Sequence, residues 1–192
     1  MPEKPRLLMI VGAATPPGRL AAAVAAAAEA ASAAAEIDVL NLAETAIEIC
    51  DGRPLANHGE PTRRAVERIQ SARAVLIAAP VYRASYPGVL KNLLDIAPVE
   101  ALQGKPVGIV AMGGSAHHFL GVDWQLRQVL GWFGALVAPT AVYLTGSDFK
   151  DGKLASESGL NDLAALCDTL ITLAQRLDPA ALGPIPLAAK FT

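Results

Sequence analysis

The stretch from Ala74 to Asn92 reads AVLIAAPVYRASYPGVLKN. Ala74 to Pro80 is the strongest strand signal in the chain, a short apolar run without polar alternation, as a strand covered on both faces requires. From Gly88 to Ala97 the apolar residues Val89, Leu90, Leu93, Leu94 and Ile96 fall at helical spacing. Between strand and helix lies VYRASYP, which brings Tyr82, Arg83 and Tyr86 together where a plain turn needs none of them. Aromatic rings beside exposed backbone amides suit a flat heteroaromatic ligand, the rings stacking and the amides donating hydrogen bonds.

The same strand, loop and helix pattern extends outward. Arg6 to Val11 reads as a strand, Gly18 to Ala35 as an alanine-rich helix and Glu36 to Leu42 as a second strand. The long loop AETAIEICDGRPLANHGEP leads to a polar amphipathic helix from Thr62 to Ala72. Beyond the opening stretch come a strand from Pro106 to Met112, a Gly113-Gly114 turn, an amphipathic helix through HFLGVDWQLRQVLGWFG, a strand from Leu136 to Leu144 and a helix from Ser156 to Leu177. Five apolar strands alternating with helices predict an α/β doubly wound parallel sheet. We read residues 1–178 as one domain and 179–192 as a Pro-punctuated tail. Ligands of such sheets bind beyond the carboxyl ends of the strands, which singles out the loops at 12–19, 80–87 and 113–118.

Composition removes several function classes. The 192 residues are 53% apolar with a formal charge of −2, so no basic footprint for nucleic acid or an anionic membrane surface is present. The run from Leu20 to Ala35 is broken by Glu29 and Ser32 and lacks the roughly 20 strongly apolar residues of a membrane span. MPEKPR has no signal-peptide character, and a cytoplasmic location is expected. Cys50 and Cys167 lack metal-ligand spacing and are expected to be packed thiols. His117 and His118 are adjacent and do not form an i, i+4 metal pair, so no metal is expected. Ser115, His117 and Asp123 contain the residue types of a hydrolase triad, but Ser115 lies in no G-x-S-x-G elbow.

The first loop, VGAATPPGRL, has two readings. It is not a Walker phosphate loop, because five residues separate Gly12 from Gly18 and no Lys-Ser or Lys-Thr follows. A helix start with Arg19 in its first turn can hold a phosphate through amides, dipole and guanidinium. Alternatively, Thr15 caps the helix and Pro16 takes its first position.

Pro80 to Asn92 closely resembles the P-V-Y-x-x-x-Y/F-x-G-x-L-K-x segment of the NADPH-dependent FMN reductases, and the resemblance continues from Leu93 to Leu130. It is most similar to the branch associated with alkanesulfonate monooxygenases. The resemblance implies a flavodoxin-like fold with strand order 2-1-3-4-5 and a flavin ring against Pro80, Val81, Tyr82 and Arg83 on one side and Gly113, Gly114 and Ser115 on the other. It places the flavin phosphate at Gly12, Thr15, Gly18 and Arg19. The family pattern there is close to G-S-P-R-x-x-S-R-S, whereas this chain has Ala13, Thr15, Gly18 and Leu20 at its Ser, Arg, Ser and Ser positions. FMN is therefore expected to bind weakly, as a substrate of an NADPH- or NADH-dependent reductase serving a partner monooxygenase. Hydride transfer between stacked rings asks for no catalytic acid–base residue. A homodimer or homotetramer is implied, with Trp124 near flavin and subunit contact. The rival readings are a quinone or azo reductase with retained FMN, and a flavodoxin-like binding protein without catalysis.

Overall fold

The computed structural model describes residues 4–178 and 182–190. Strand β1 (Arg6–Val11) lies between β2 (Glu36–Asn41) and β3 (Ala74–Pro80), and β3 pairs with β4 (Pro106–Gly113). The far edge consists of β5 (Leu136–Val137) and β6 (Val142–Thr145), both parallel to β4. The order 2-1-3-4-5 is that of the flavodoxin-like doubly wound sheet. Helices α1 (Arg19–Ala31) and α5 (Glu157–Arg176) cover one face, and α2 (Glu60–Ser71), α3 (Gly88–Ile96) and α4 (Leu120–Trp132) cover the other. The central strands are apolar because both their faces are covered, and every residue of β3 is buried. At Gly108 the sheet meets α5 so closely that a Cβ would come within 2.9 Å of Leu170 Cδ1.

The fifth strand, expected to be continuous from Leu136 to Leu144, is in two pieces. Pro139 lacks the N–H that a ladder needs, so the chain leaves the sheet after Val137 and rejoins it at Val142. Arg127 of α4 compensates by donating to the carbonyls of Ala138 at 2.8 Å and Pro139 at 3.1 Å. Its guanidinium is in turn held by Asp123 at 2.9 Å, so the Asp123 carboxylate is engaged in structure rather than in a triad.

The alanine-rich helix ends at Ala31, not Ala35, because residues 32–35 fold into a closing turn: the Ala35 N–H donates to Ala31 O and β2 starts at the next residue. A hairpin of β7 (Phe149–Lys150) and β8 (Lys153–Leu154) was not expected. Asp151 and Gly152 turn it with positive φ at both positions, the Asp-Gly signature of a tight hairpin. Within the expected tail, residues 179–181 and 191–192 lie outside the described residues, and Pro186 packs against Gly134. Residues 1–3 of MPEKPR are likewise outside them. Among the described residues no helix is long and apolar enough to cross a membrane.

Candidate functional site

The loops after β1, β3, β4 and β6 converge on a cleft of about 370 Å³ at the carboxyl edge of the sheet. Of the residues expected there, Thr15, Gly18, Arg19, Pro80, Val81, Tyr82, Gly113 and Gly114 line it, whereas Gly12, Arg83 and Ser115 stand behind or beside its wall. Gly12 donates its N–H to Ala78 O at 2.7 Å, so that amide is already engaged. A Cβ at Gly12 would lie 3.0 Å from both Ala78 O and Leu90 Cδ2, which makes this glycine a point of close approach between the first loop, β3 and α3.

Thr15 does not cap α1, and Pro16 does not open it. Gly18 is the N-cap, without a side-chain cap bond, and the first helical residue is Arg19. The reason is the Pro16-Pro17 pair: Pro17 keeps Pro16 out of the helical region, so no helix can begin before the second proline. The first-turn amides are left without a capping oxygen, which is the arrangement that receives an anion. Arg19 adds its charge there. Its guanidinium has no hydrogen-bond or ion-pair partner among the described residues, and it rests over Gly146, where a Cβ would come within 3.1 Å of Nη1. Gly146 begins a short turn shaped by Asp148, whose carboxylate accepts the Thr145 N–H at 2.7 Å and its hydroxyl at 3.0 Å. Burial raises the Asp148 pKa, but these bonds and one from Ser156 outweigh it and hold the carboxyl below its ordinary value.

Opposite this end, Tyr82 to Ser85 form a tight turn closed by Tyr82 N–H to Ser85 O at 2.7 Å and Ser85 N–H to Tyr82 O at 3.0 Å. Its central residues, Arg83 and Ala84, have φ of 50° and 61°, a left-handed conformation that glycine ordinarily takes. Strain of this kind persists only where the surroundings enforce it. Here the turn packs tightly on α4 at Gly121, where a Cβ would meet Val81 Cγ1 at 3.2 Å and the Ala84 carbonyl carbon at 3.3 Å. The turn leaves Tyr82 47% exposed at the cleft. The third wall is Gly113 and Gly114, and beneath it the Tyr143 hydroxyl donates to Ser115 O at 2.6 Å.

Tyr143, Gly121 and Gly146 escape sequence reasoning because their roles depend on which strands and helices become neighbours. The one local hint is the Gly in the Thr145-Gly-Ser-Asp turn directly after a strand. Lys91 is not at the cleft: it pairs with Asp95, which raises the ammonium's pKa. Cys167 is packed as expected, and burial pushes its thiol up to about 11, whereas Cys50 is only half-buried. No group of three or more potential metal ligands occurs among the described residues.

Residues 5–150, which include all these loops, match the profile of the family described as NADPH-dependent FMN reductase. The chain belongs to that family. This member is 35% identical over 116 residues to an NAD(P)H-dependent FAD/FMN reductase of Geobacillus thermodenitrificans, a match covering 60% of this chain and 63% of the relative. It is 45% identical over 92 residues to the NADH-dependent FMN reductase SfnF of Pseudomonas fluorescens, covering 48% and 49% of the two chains. The chain thus spans less than two thirds of the length of these curated relatives. An oxidoreductase of Corynebacterium diphtheriae superposes with a TM-score of 0.72 at 26% identity, over 92% of this chain and all of that one.

The cleft fits the ligand that the family name implies. For a flat ring, the cleft would offer Tyr82 and the side-chain-free strip at Gly113 and Gly114, where a Cβ on Gly114 would meet nothing within 4 Å. For a phosphate, the cleft would offer Arg19 and the uncapped start of α1.

Proposed function

We propose that the chain is an NAD(P)H:FMN reductase that takes FMN as a weakly held substrate and passes reduced flavin to a partner flavin-dependent monooxygenase. The observation that carries this reading is the division of the cleft into an anion end, with unpartnered Arg19 at an uncapped helix start, and a flat end between Tyr82 and Gly113-Gly114. When bound, FMN supplies the ring that accepts hydride from the nicotinamide. The residues then have to bind, orient and exclude. Arg19 and the first-turn amides of α1 hold the phosphate, Pro80, Val81 and Tyr82 bound one side of the ring, and the backbone of Gly113 and Gly114 bounds the other. Thr15 is the only hydroxyl of the first loop, so few side-chain bonds reach the phosphate and exchange is fast.

Self-association belongs to the same reading. Leu120, Trp124 and Trp132 are 45%, 60% and 64% exposed, and these apolar side chains spread along α4 support a homodimer or homotetramer. Anaerobic stopped-flow tests the activity. Mixing with NADPH or NADH should bleach added FMN with saturation kinetics, and gel filtration should return colourless protein. No bleaching up to saturating flavin would remove the reductase reading, and yellow colour retained on the column would favour the quinone or azo reductase.

A further inference from the structure

We infer that Tyr143 is a positioning residue for the cleft, its hydroxyl locking the Gly113 to Ser115 wall in a single conformation. The inference rests on the flavin-reductase reading. Tyr143 lies on β6 with Ala111 of β4 as its register partner, and its phenol extends past the end of β4 to Ser115, whose carbonyl it holds at 2.6 Å. The only other donor to that carbonyl among the described residues is the His118 N–H, at a long 3.4 Å.

The phenol occupies the space that a side chain at position 113 would need. A Cβ on Gly113 would lie 1.9 Å from Tyr143 Oη and 2.9 Å from Cζ, so the two residues are mutually dependent. β4 holds Gly113 opposite Thr145, but Gly114, beyond the end of the strand, has no Cβ to restrict φ and would otherwise be free to rotate. The hydrogen bond removes that freedom. It fixes the plane of the Ser115–Ala116 peptide, and a planar trans peptide turns the Ala116 N–H to the side opposite the carbonyl. Burial holds the phenol's pKa above its ordinary value, so Tyr143 stays an O–H donor throughout the neutral range.

The experiment uses Tyr143→Phe and Gly113→Ala, singly and combined, in the full chain. FMN and riboflavin are titrated by fluorescence quenching at a temperature where circular dichroism shows every variant folded. Tyr143→Phe should weaken both flavins by the same factor, about three- to ten-fold for one lost neutral hydrogen bond, because the wall faces the ring and not the phosphate. Without flavin, Gly113→Ala should lower the melting midpoint less in the Tyr143→Phe background than in the parent, since the oxygen it collides with is gone. Unchanged affinities in Tyr143→Phe, a loss confined to FMN, or additive melting shifts would each overturn the assignment. A parent that binds neither flavin would instead overturn the flavin reading on which it depends.

Discussion

Arg19 stands where charge and backbone act together, at the first residue of a helix whose N-cap is a glycine without a side-chain oxygen. A guanidinium bond to phosphate is charge-assisted and contributes about 1.5–3 kcal/mol. Replacing Arg19 with Ala is therefore expected to raise the FMN dissociation constant about 10- to 100-fold. Riboflavin carries no phosphate, and its affinity should stay within about two-fold by the same titration, the error of such a comparison. Parallel losses for both flavins would place Arg19 beside the ring. At this scale the sequence is readable where chemistry is local: Arg19 and Gly18 are visible as a helix start. Gly146, which gives the guanidinium its resting place, is not, because it lies near the far end of the sheet's strand sequence and reaches Arg19 only through the fold.

Among the elements, the turn from Tyr82 to Ser85 is the one that departs from local preference. A non-glycine residue in the left-handed region costs about 1–2 kcal/mol, and glycine recovers most of this at an entropic cost of roughly 0.5–1 kcal/mol. Ala84→Gly is thus expected to stabilise the protein by up to about 1 kcal/mol, a rise in Tm of about 2–4 °C for a chain of this size. The freed turn should hold Tyr82 less firmly, so flavin affinity should fall while stability rises. Thermal melts and titrations on the same preparation decide it, and a variant gaining both would show that the turn's strain has no bearing on the site. The turn is not legible as such in the sequence, because Tyr-Arg-Ala-Ser contains none of the glycine or asparagine that marks positive φ. Strands β1 and β3 are legible to the residue, since burial on both faces makes the apolar run and the strand coincide. The fifth strand reads as too long because Pro139 sits inside an apolar run, and only the Arg127 contacts show how its break is accommodated.

Across the whole molecule, the sheet separates the cleft from a charged anchor at its other end. The cleft lies beyond the carboxyl ends of the strands, whereas Asp38 of β2 binds Arg6 at the start of β1 and Arg68 of α2. Hydrogen bonds from Arg68 act against the cost of burial and, with those from Arg6, hold the Asp38 carboxyl below its ordinary value of 3.8. A depressed carboxylate pKa means that the unfolded chain binds the proton first as pH falls, so this contribution is complete above 3.8 and is lost as pH drops through the folded value. Because the cluster is partly exposed, its expected size is about 1–2 kcal/mol, below that of a fully buried pair. Asp38→Asn should lower the melting midpoint at about pH 6 by about 3–6 °C, and the gap between parent and variant should narrow progressively as pH falls below 3.8 and through the folded value. Gaps that stay constant over that range would assign the stability to packing instead of charge. FMN affinity at the higher pH should not change in the variant, because the affected contacts join β1, β2 and α2 at the end of the sheet remote from Arg19 and Tyr82. A matched loss of affinity would mean that the two ends are coupled through β1, whose last residue, Val11, lines the cleft and whose first, Arg6, makes the ion pair.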